Sequence, residues 1–145
     1  VDSIEMAVFT GCTNLQSVRL EEGATVIGEY MFLECTSLSN VELPSTLTTI
    51  GNGAFKQCAL ETVCLPASVD SIGEYAFQNC TALKSVELPA GLKALSRYVF
   101  NGCTSLGSIV LPDGLETIGY SAFSNCTAMT SITMGDKRAS ATGRS

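Results

Sequence analysis

The sequence predicts an α/β repeat solenoid of about six coils, each 22–23 residues long, wound as a right-handed superhelix. The expected layout has a parallel β-sheet lining the concave side and short helical or turn segments on the convex side. Three observations predict it. Phenylalanine returns at a fixed interval, further apolar columns keep step with it, and each unit carries one alternating strand pattern closed by turn residues.

The phenylalanines are Phe9, Phe32, Phe55, Phe77, Phe100 and Phe123, spaced by 23, 23, 22, 23 and 23 residues. Cysteine follows each by three, at Cys12, Cys35, Cys58, Cys80, Cys103 and Cys126. Leu15, Leu38, Leu60, Leu83, Leu106 and Met129 come next. The short interval is located there, because Cys58-Ala59-Leu60 lacks one residue of the usual Cys-Thr-x-Leu. Two more columns follow: Val18, Val41, Val63, Val86, Ile109 and Ile132, then Leu20, Leu43, Leu65, Leu88, Leu111 and Met134. Pro44, Pro66, Pro89 and Pro112 follow four of these leucines. Leu47, Val69, Leu92 and Leu115 lead to Ile27, Ile50, Ile72, Leu95 and Ile118. Gly28, Gly51, Gly73 and Gly119 stand just after, with Ser96 in the place of one glycine.

Each element of the unit has a physical reason. The V-x-L segment alternates, which is the period of a strand with one buried face. Proline stops that strand because it cannot donate to a ladder. The glycine after the isoleucine suits a tight turn with unusual backbone angles. The A-F-x-x-C-x-x-L stretch has helical spacing but is too short for more than a turn or two of helix. One coil is therefore expected to hold a short strand, a corner, an extended or turn-like return, and a helical turn. A lone coil could not cover its own Leu, Ile and Phe, so the coils must stack and each column must become a ladder. Fully burying such a side chain contributes about 1.5–3 kcal/mol before entropy. The densely packed strand side is expected to become the inside of an arc.

The unit reads L-x-x-V-x-L-P-x-x-L-x-x-I-G-x-x-A-F-x-x-C. It resembles the Treponema-type leucine-rich repeat of BspA-like proteins, most closely in VELPSTLTTIGNGAFKQC at 41–58 and IVLPDGLETIGYSAFSNC at 109–126. The resemblance covers nearly all of residues 1–134 and implies a leucine-rich-repeat fold. Such proteins are found on the surfaces of bacteria and some protozoa, where they are linked to adhesion and host contact. It therefore implies a cell-surface or secreted protein. Two units depart from the pattern: the first has EEGATVIG in place of its proline segment, and the last dissolves after Met134.

Two segments are expected: a solenoid over 1–134 and a polar tail or linker, GDKRASATGRS, over 135–145. Val1 enters in the middle of a unit, with Ile4 in the isoleucine column and no polar cap before it. Solenoids need such caps for solubility, so the chain is expected to be a segment of a longer array; the rival is end-to-end assembly. No charged start with an apolar stretch and cleavage site is visible, which in a processed chain says little about compartment.

The net charge of −6 argues against non-specific nucleic-acid binding, which needs clustered Lys and Arg. It equally opposes docking on anionic membranes. No apolar run approaches the ~20 residues of a membrane-spanning helix, so no membrane insertion is expected. The absence of histidine removes Ser-His-Asp, Cys-His and histidine-metal sites together. Six of the seven cysteines share one column and lack the C-x₂₋₄-C pairs of a zinc site. Parallel side chains in a row fit a disulfide's dihedral badly. Buried free thiols acting as small hydrophobes are expected instead. Such thiols suit a reducing or anaerobic setting, which leaves a cytoplasmic location as the alternative. Cys64 differs, since it lies between Val63 and Leu65 and should face outward without a base or cation to activate it. Asn79-Cys80-Thr81 and Asn125-Cys126-Thr127 match the glycosylation sequon, but the repeat itself writes them. No catalytic residue, cofactor or metal is expected.

The strand's outward positions are the candidate site. One row reads Arg19, Glu42, Cys64, Glu87, Val110 and Thr133, and beside it runs Ser17, Asn40, Thr62, Ser85, Ser108 and Ser131. The expected function is a non-enzymatic protein-binding or adhesion module that uses this strip to engage another protein or extracellular-matrix component. The alternative is a structural spacer or self-assembling scaffold unit that associates end to end.

Overall fold

The V-x-L segments form the strands that the alternation predicts. A computed structural model describes residues 7–134; the expected tail at 135–145 and the column member Ile4 lie outside the described residues. The V-x-L strands are β1 (Ser17–Arg19), β3 (Asn40–Glu42), β5 (Thr62–Cys64), β7 (Ser85–Glu87), β9 (Ser108–Leu111) and β11 (Ser131–Met134). The isoleucine column forms a second, shorter set: β2 (Val26–Ile27), β4 (Thr49–Ile50), β6 (Ser71–Ile72), β8 (Ala94–Leu95) and β10 (Thr117–Ile118). All pairings are parallel and keep repeat register, as in Val18 against Val41 and Ile27 against Ile50. The chain is a parallel β-solenoid.

The V-x-L sheet is not continuous. β1 pairs with β3, β5 with β7, and β9 with β11, while the seams between β3 and β5 and between β7 and β9 stay unzipped. At zipped seams the residue after the strand donates to the next coil, as Leu20 to Glu42 (3.0 Å) and Leu65 to Glu87 (3.1 Å). Among the described residues no such bond joins Leu43 to Cys64 or Leu88 to Val110. The first open seam falls where Cys58-Ala59-Leu60 is one residue short. There the Ala59 amide bonds Leu38 of the preceding coil (2.9 Å), and the turn that other coils close between cysteine and leucine is missing.

Proline opens a turn instead of simply ending a strand. The amides of Leu47, Val69, Leu92 and Leu115 each donate to the proline carbonyl three residues back, at 3.1 Å. The first unit makes the same turn without proline, from Ala24 to Glu21 at 3.2 Å, aided by Gly23 at φ +107°.

The expected helical turn is not there: among the described residues there is no helix. The A-F-x-x-C stretch is a chain of turns whose amides alternate. The Met31, Leu33 and Cys35 amides close onto carbonyls three residues back, whereas those of Tyr30, Phe32 and Glu34 donate to Asn52, Ala54 and Lys56 of the next coil. A helix would direct every amide inward along its own axis and leave nothing to tie coils together. The alternation needs left-handed backbone at two places per coil. Tyr30, Gly53, Tyr75, Tyr98 and Ser121 occupy the first, and Glu34, Gln57, Asn79, Gly102 and Asn125 the second. Asparagine tolerates that region better than most residues, which explains the Asn-Cys-Thr strings.

The glycine column also has a different cause from the one expected. Gly51, Gly73 and Gly119 do not have positive φ. A Cβ on Gly51 would stand 2.8 Å from the Glu29 amide nitrogen and the Gly28 carbonyl carbon. These glycines allow coils to approach, and turn angles do not require them. Ser96 fits the column by donating its hydroxyl to the Ile72 carbonyl at 2.5 Å.

Between the two strand sets and the turns lies one core. Phe32, Phe55, Phe77 and Phe100 are buried, as are Leu38, Leu47, Ile50, Leu83 and Leu92. The phenylalanine rings form a single interior column, with centroids 5.4–5.8 Å apart and planes within 13° of parallel. This offset-type stacking adds about 0.5–1.5 kcal/mol per pair beyond area burial.

Candidate binding surface and the thiol ladder

All twelve residues of the outward strip are exposed on one face: Ser17, Arg19, Asn40, Glu42, Thr62, Cys64, Ser85, Glu87, Ser108, Val110, Ser131 and Thr133. The strand geometry places them there, because side chains alternate across a sheet and Val18, Val41, Val63, Val86 and Ile109 take the inward positions. Within zipped pairs the rows are in register: Arg19 beside Glu42, Thr62 beside Ser85, Cys64 beside Glu87, and Val110 beside Thr133. Neighbours in a row are therefore ~4.8 Å apart.

Charge along the face is uneven. Arg19, Glu21, Glu22 and Glu42 border an open groove at the first two coils. Glu22 is already engaged, since its carboxylate accepts the Ser45 amide at 2.8 Å and the Ser45 hydroxyl, and these bonds hold its pKa below the ordinary value. Among the described residues the ion pairs are Lys84–Glu61 and Arg97–Glu74, and neither includes Glu42 or Glu87. Toward the last coils the face turns apolar at Val110, which is 63% exposed.

The cysteine column is part of the core. Each thiol is free, and Cys35, Cys58, Cys80 and Cys103 are buried. The expectation of small hydrophobes was incomplete. The thiols of Cys35, Cys58, Cys80, Cys103 and Cys126 each donate to the phenylalanine carbonyl of the preceding coil at 3.1–3.2 Å. That carbonyl also accepts the cysteine amide of its own coil, as Cys58 to Phe55 at 3.2 Å. Burial pushes the Cys58 thiol up to about 12, and Cys80 and Cys103 higher still, with neighbouring thiols adding to the shift. A protonated thiol is a poor nucleophile and a poor metal ligand. Among the described residues no three Cys, Asp or Glu side chains converge on a point.

Sequence reasoning missed a second aromatic row. Tyr75 and Tyr98 stack at 5.0 Å, Tyr120 meets Tyr98 edge-on at 5.6 Å, and Lys56 lies over Tyr75 at 5.5 Å. Tyrosines in successive coils were visible, but the left-handed backbone of Tyr75 and Tyr98 was not.

This architecture agrees with known proteins. The model of the BspA type leucine rich repeat region matches residues 2–130 in six copies. A leucine-rich repeat protein from Bacteroides ovatus superposes with a TM-score of 0.84 at 28% identity, over 94% of this chain and 42% of that one. The T. pallidum leucine rich repeat protein gives 0.70 at 32% identity, over 90% of this chain and 72% of that one. A leucine-rich repeat protein from Eubacterium ventriosum gives 0.76 at 29% identity, over 85% and 34%. The chain thus spans less than half the length of the Bacteroides ovatus protein. No curated protein matches it. Six copies of the family's repeat, laid in register through the described coils, make this chain a member of the BspA-type leucine-rich repeat family.

Proposed function

We propose that the chain is a non-enzymatic protein-binding module of a cell-surface or secreted protein, and that its V-x-L strand face does the binding. The observation that carries this reading is the exposure of all twelve strip residues, which are in register within each zipped strand pair. The apolar code fixes what stands behind them and leaves these positions free to vary. The family supports it, because leucine-rich repeats commonly bind proteins. The partner is another protein or a matrix component. A panel of purified secreted proteins and matrix fragments, probed with the wild type and a Glu42→Lys, Glu87→Lys variant, tests it. A partner retained by the wild type should bind the variant roughly tenfold more weakly, a loss of ~1.4 kcal/mol. Equal retention, or no partner, counts against the strand face.

A second reading is a spacer that associates end to end. Exposed apolar side chains gather in the first and last described coils: Val8 and Phe9 in one, Ile118, Tyr120, Ile132 and Met134 in the other. Light scattering across a concentration series tests this reading, and a constant monomer mass opposes it.

A further inference from the structure

The strand face has one apolar interruption, and it coincides with a seam. Between unzipped β7 and β9 lies an open hollow of about 330 Å³, lined by Val86, Leu88, Val110 and Pro112 together with the carboxylates of Glu87 and Asp113. Val110 helps create it. Where the same row carries Arg19, Glu42, Cys64 and Glu87 in earlier coils, this coil carries a valine that is 63% exposed. The strand pairing does not call for it, since the partner across the zipped side is the polar Thr133. A single exposed valine needs no explanation. A valine beside an open apolar hollow, in a row otherwise polar, is different.

We propose that this hollow is the anchor point of the strand face, taking an aliphatic side chain of a partner polypeptide that carries Lys or Arg beside it. This rests on the strand-face reading and names the chemistry of what that face binds. The hollow is open and shallow, unlike the enclosing pockets that cover most of a small ligand's surface. An inserted side chain from a larger partner suits it better. Charge specifies the neighbour of that side chain. Among the described residues Glu87 and Asp113 form no ion pair, while Lys84 pairs with Glu61 and Arg97 with Glu74. Lys56 lies over Tyr75. Lys93 stands 3.3 Å from where a Gly114 Cβ would be, yet pairs with neither carboxylate. With a net charge of −6, the chain as a whole favours a basic partner over an acidic one.

The test uses three short peptides, alternating Lys with Leu, Lys with Ser, and Glu with Leu, titrated into the full chain by fluorescence anisotropy. The Lys–Leu peptide should bind at least about tenfold more tightly than either other peptide. Val110→Ser and Glu87→Lys should each weaken it roughly tenfold. Both positions are exposed, and thermal melts matching the parent confirm intact folding. Glu116→Lys, exposed and outside the V-x-L strand face, should change little. Binding that ignores Val110→Ser but responds to Glu42→Lys overturns the hollow and leaves the strand face standing. Equal binding of the Glu–Leu peptide, or none by the Lys–Leu peptide up to about 1 mM, also overturns it; the protein panel then judges the strand face independently.

Discussion

Truncating Phe77 to alanine tests the stacking principle at its centre. Phe77 is 1% exposed and sandwiched between Phe55 at 5.5 Å and Phe100 at 5.6 Å, with planes tilted by 11° and 12°. Its removal leaves a cavity bounded by coils that cannot close, because the backbone ladders on both sides fix their spacing. A buried Phe→Ala change costs about 3–5 kcal/mol, and losing two ring stacks at ~0.5–1.5 kcal/mol each places Phe77 at the upper end. Phe9 is the control. It is 39% exposed and stacks on Phe32 alone, at 5.5 Å. Phe9→Ala should cost roughly 1–2 kcal/mol, less than half a fully buried truncation. Against a total stability of about 5–15 kcal/mol, the first change is severe and the second mild. Urea unfolding followed by circular dichroism reads both. The slope with denaturant must be compared as well, because a repeat array can lose an end without losing its centre. Equal penalties at Phe77 and Phe9 would refute a one-dimensional stack in which each coil is stabilised by its two neighbours.

Four further outcomes follow from the structure. Gly51→Ala should destabilise by ~1–3 kcal/mol, because its Cβ would meet Glu29 and Gly28 backbone at 2.8 Å. Gly91→Ala, with open space and no positive φ, should be neutral or stabilise by about 0.4–1 kcal/mol; thermal melts compare the two. In native protein a maleimide should label exposed Cys12 and Cys64 while Cys58, Cys80 and Cys103 stay protected, as read by mass spectrometry. Stability should also fall in alkali. Burial raises the Cys58 pKa to about 12 in the folded chain, so its contribution is complete below the ordinary thiol value and is lost as pH climbs from there toward 12. Each such thiol costs about 1.4 kcal/mol per pH unit across that window. A denaturation midpoint unchanged between neutral pH and the upper end of that window would contradict the thiol ladder. Inserting threonine between Cys58 and Ala59 should restore the missing turn and zip β3 to β5, slowing hydrogen exchange at the Leu43 amide; unchanged exchange would separate the open seam from the short coil.

Much of this molecule could be read without coordinates. The phenylalanine and leucine columns gave the coil, its length and its stacking, because a ladder of identical apolar positions has one way to be buried. The alternation of Val18 and Arg19 and their successors likewise placed the outward strip, since a strand's side chains can take only two directions. Tertiary structure decided the rest. Helical spacing at Phe32 and Cys35 did not yield a helix, because amides there must also reach the next coil. The glycines after the isoleucines answered to a backbone one coil away, and the thiols found phenylalanine carbonyls that no local pattern announces. Which seams zip depended on how successive coils settle against one another. The hollow beside Val110 follows from that settlement: its residues were all visible in the sequence, but their convergence is a property of two coils and of the gap between them.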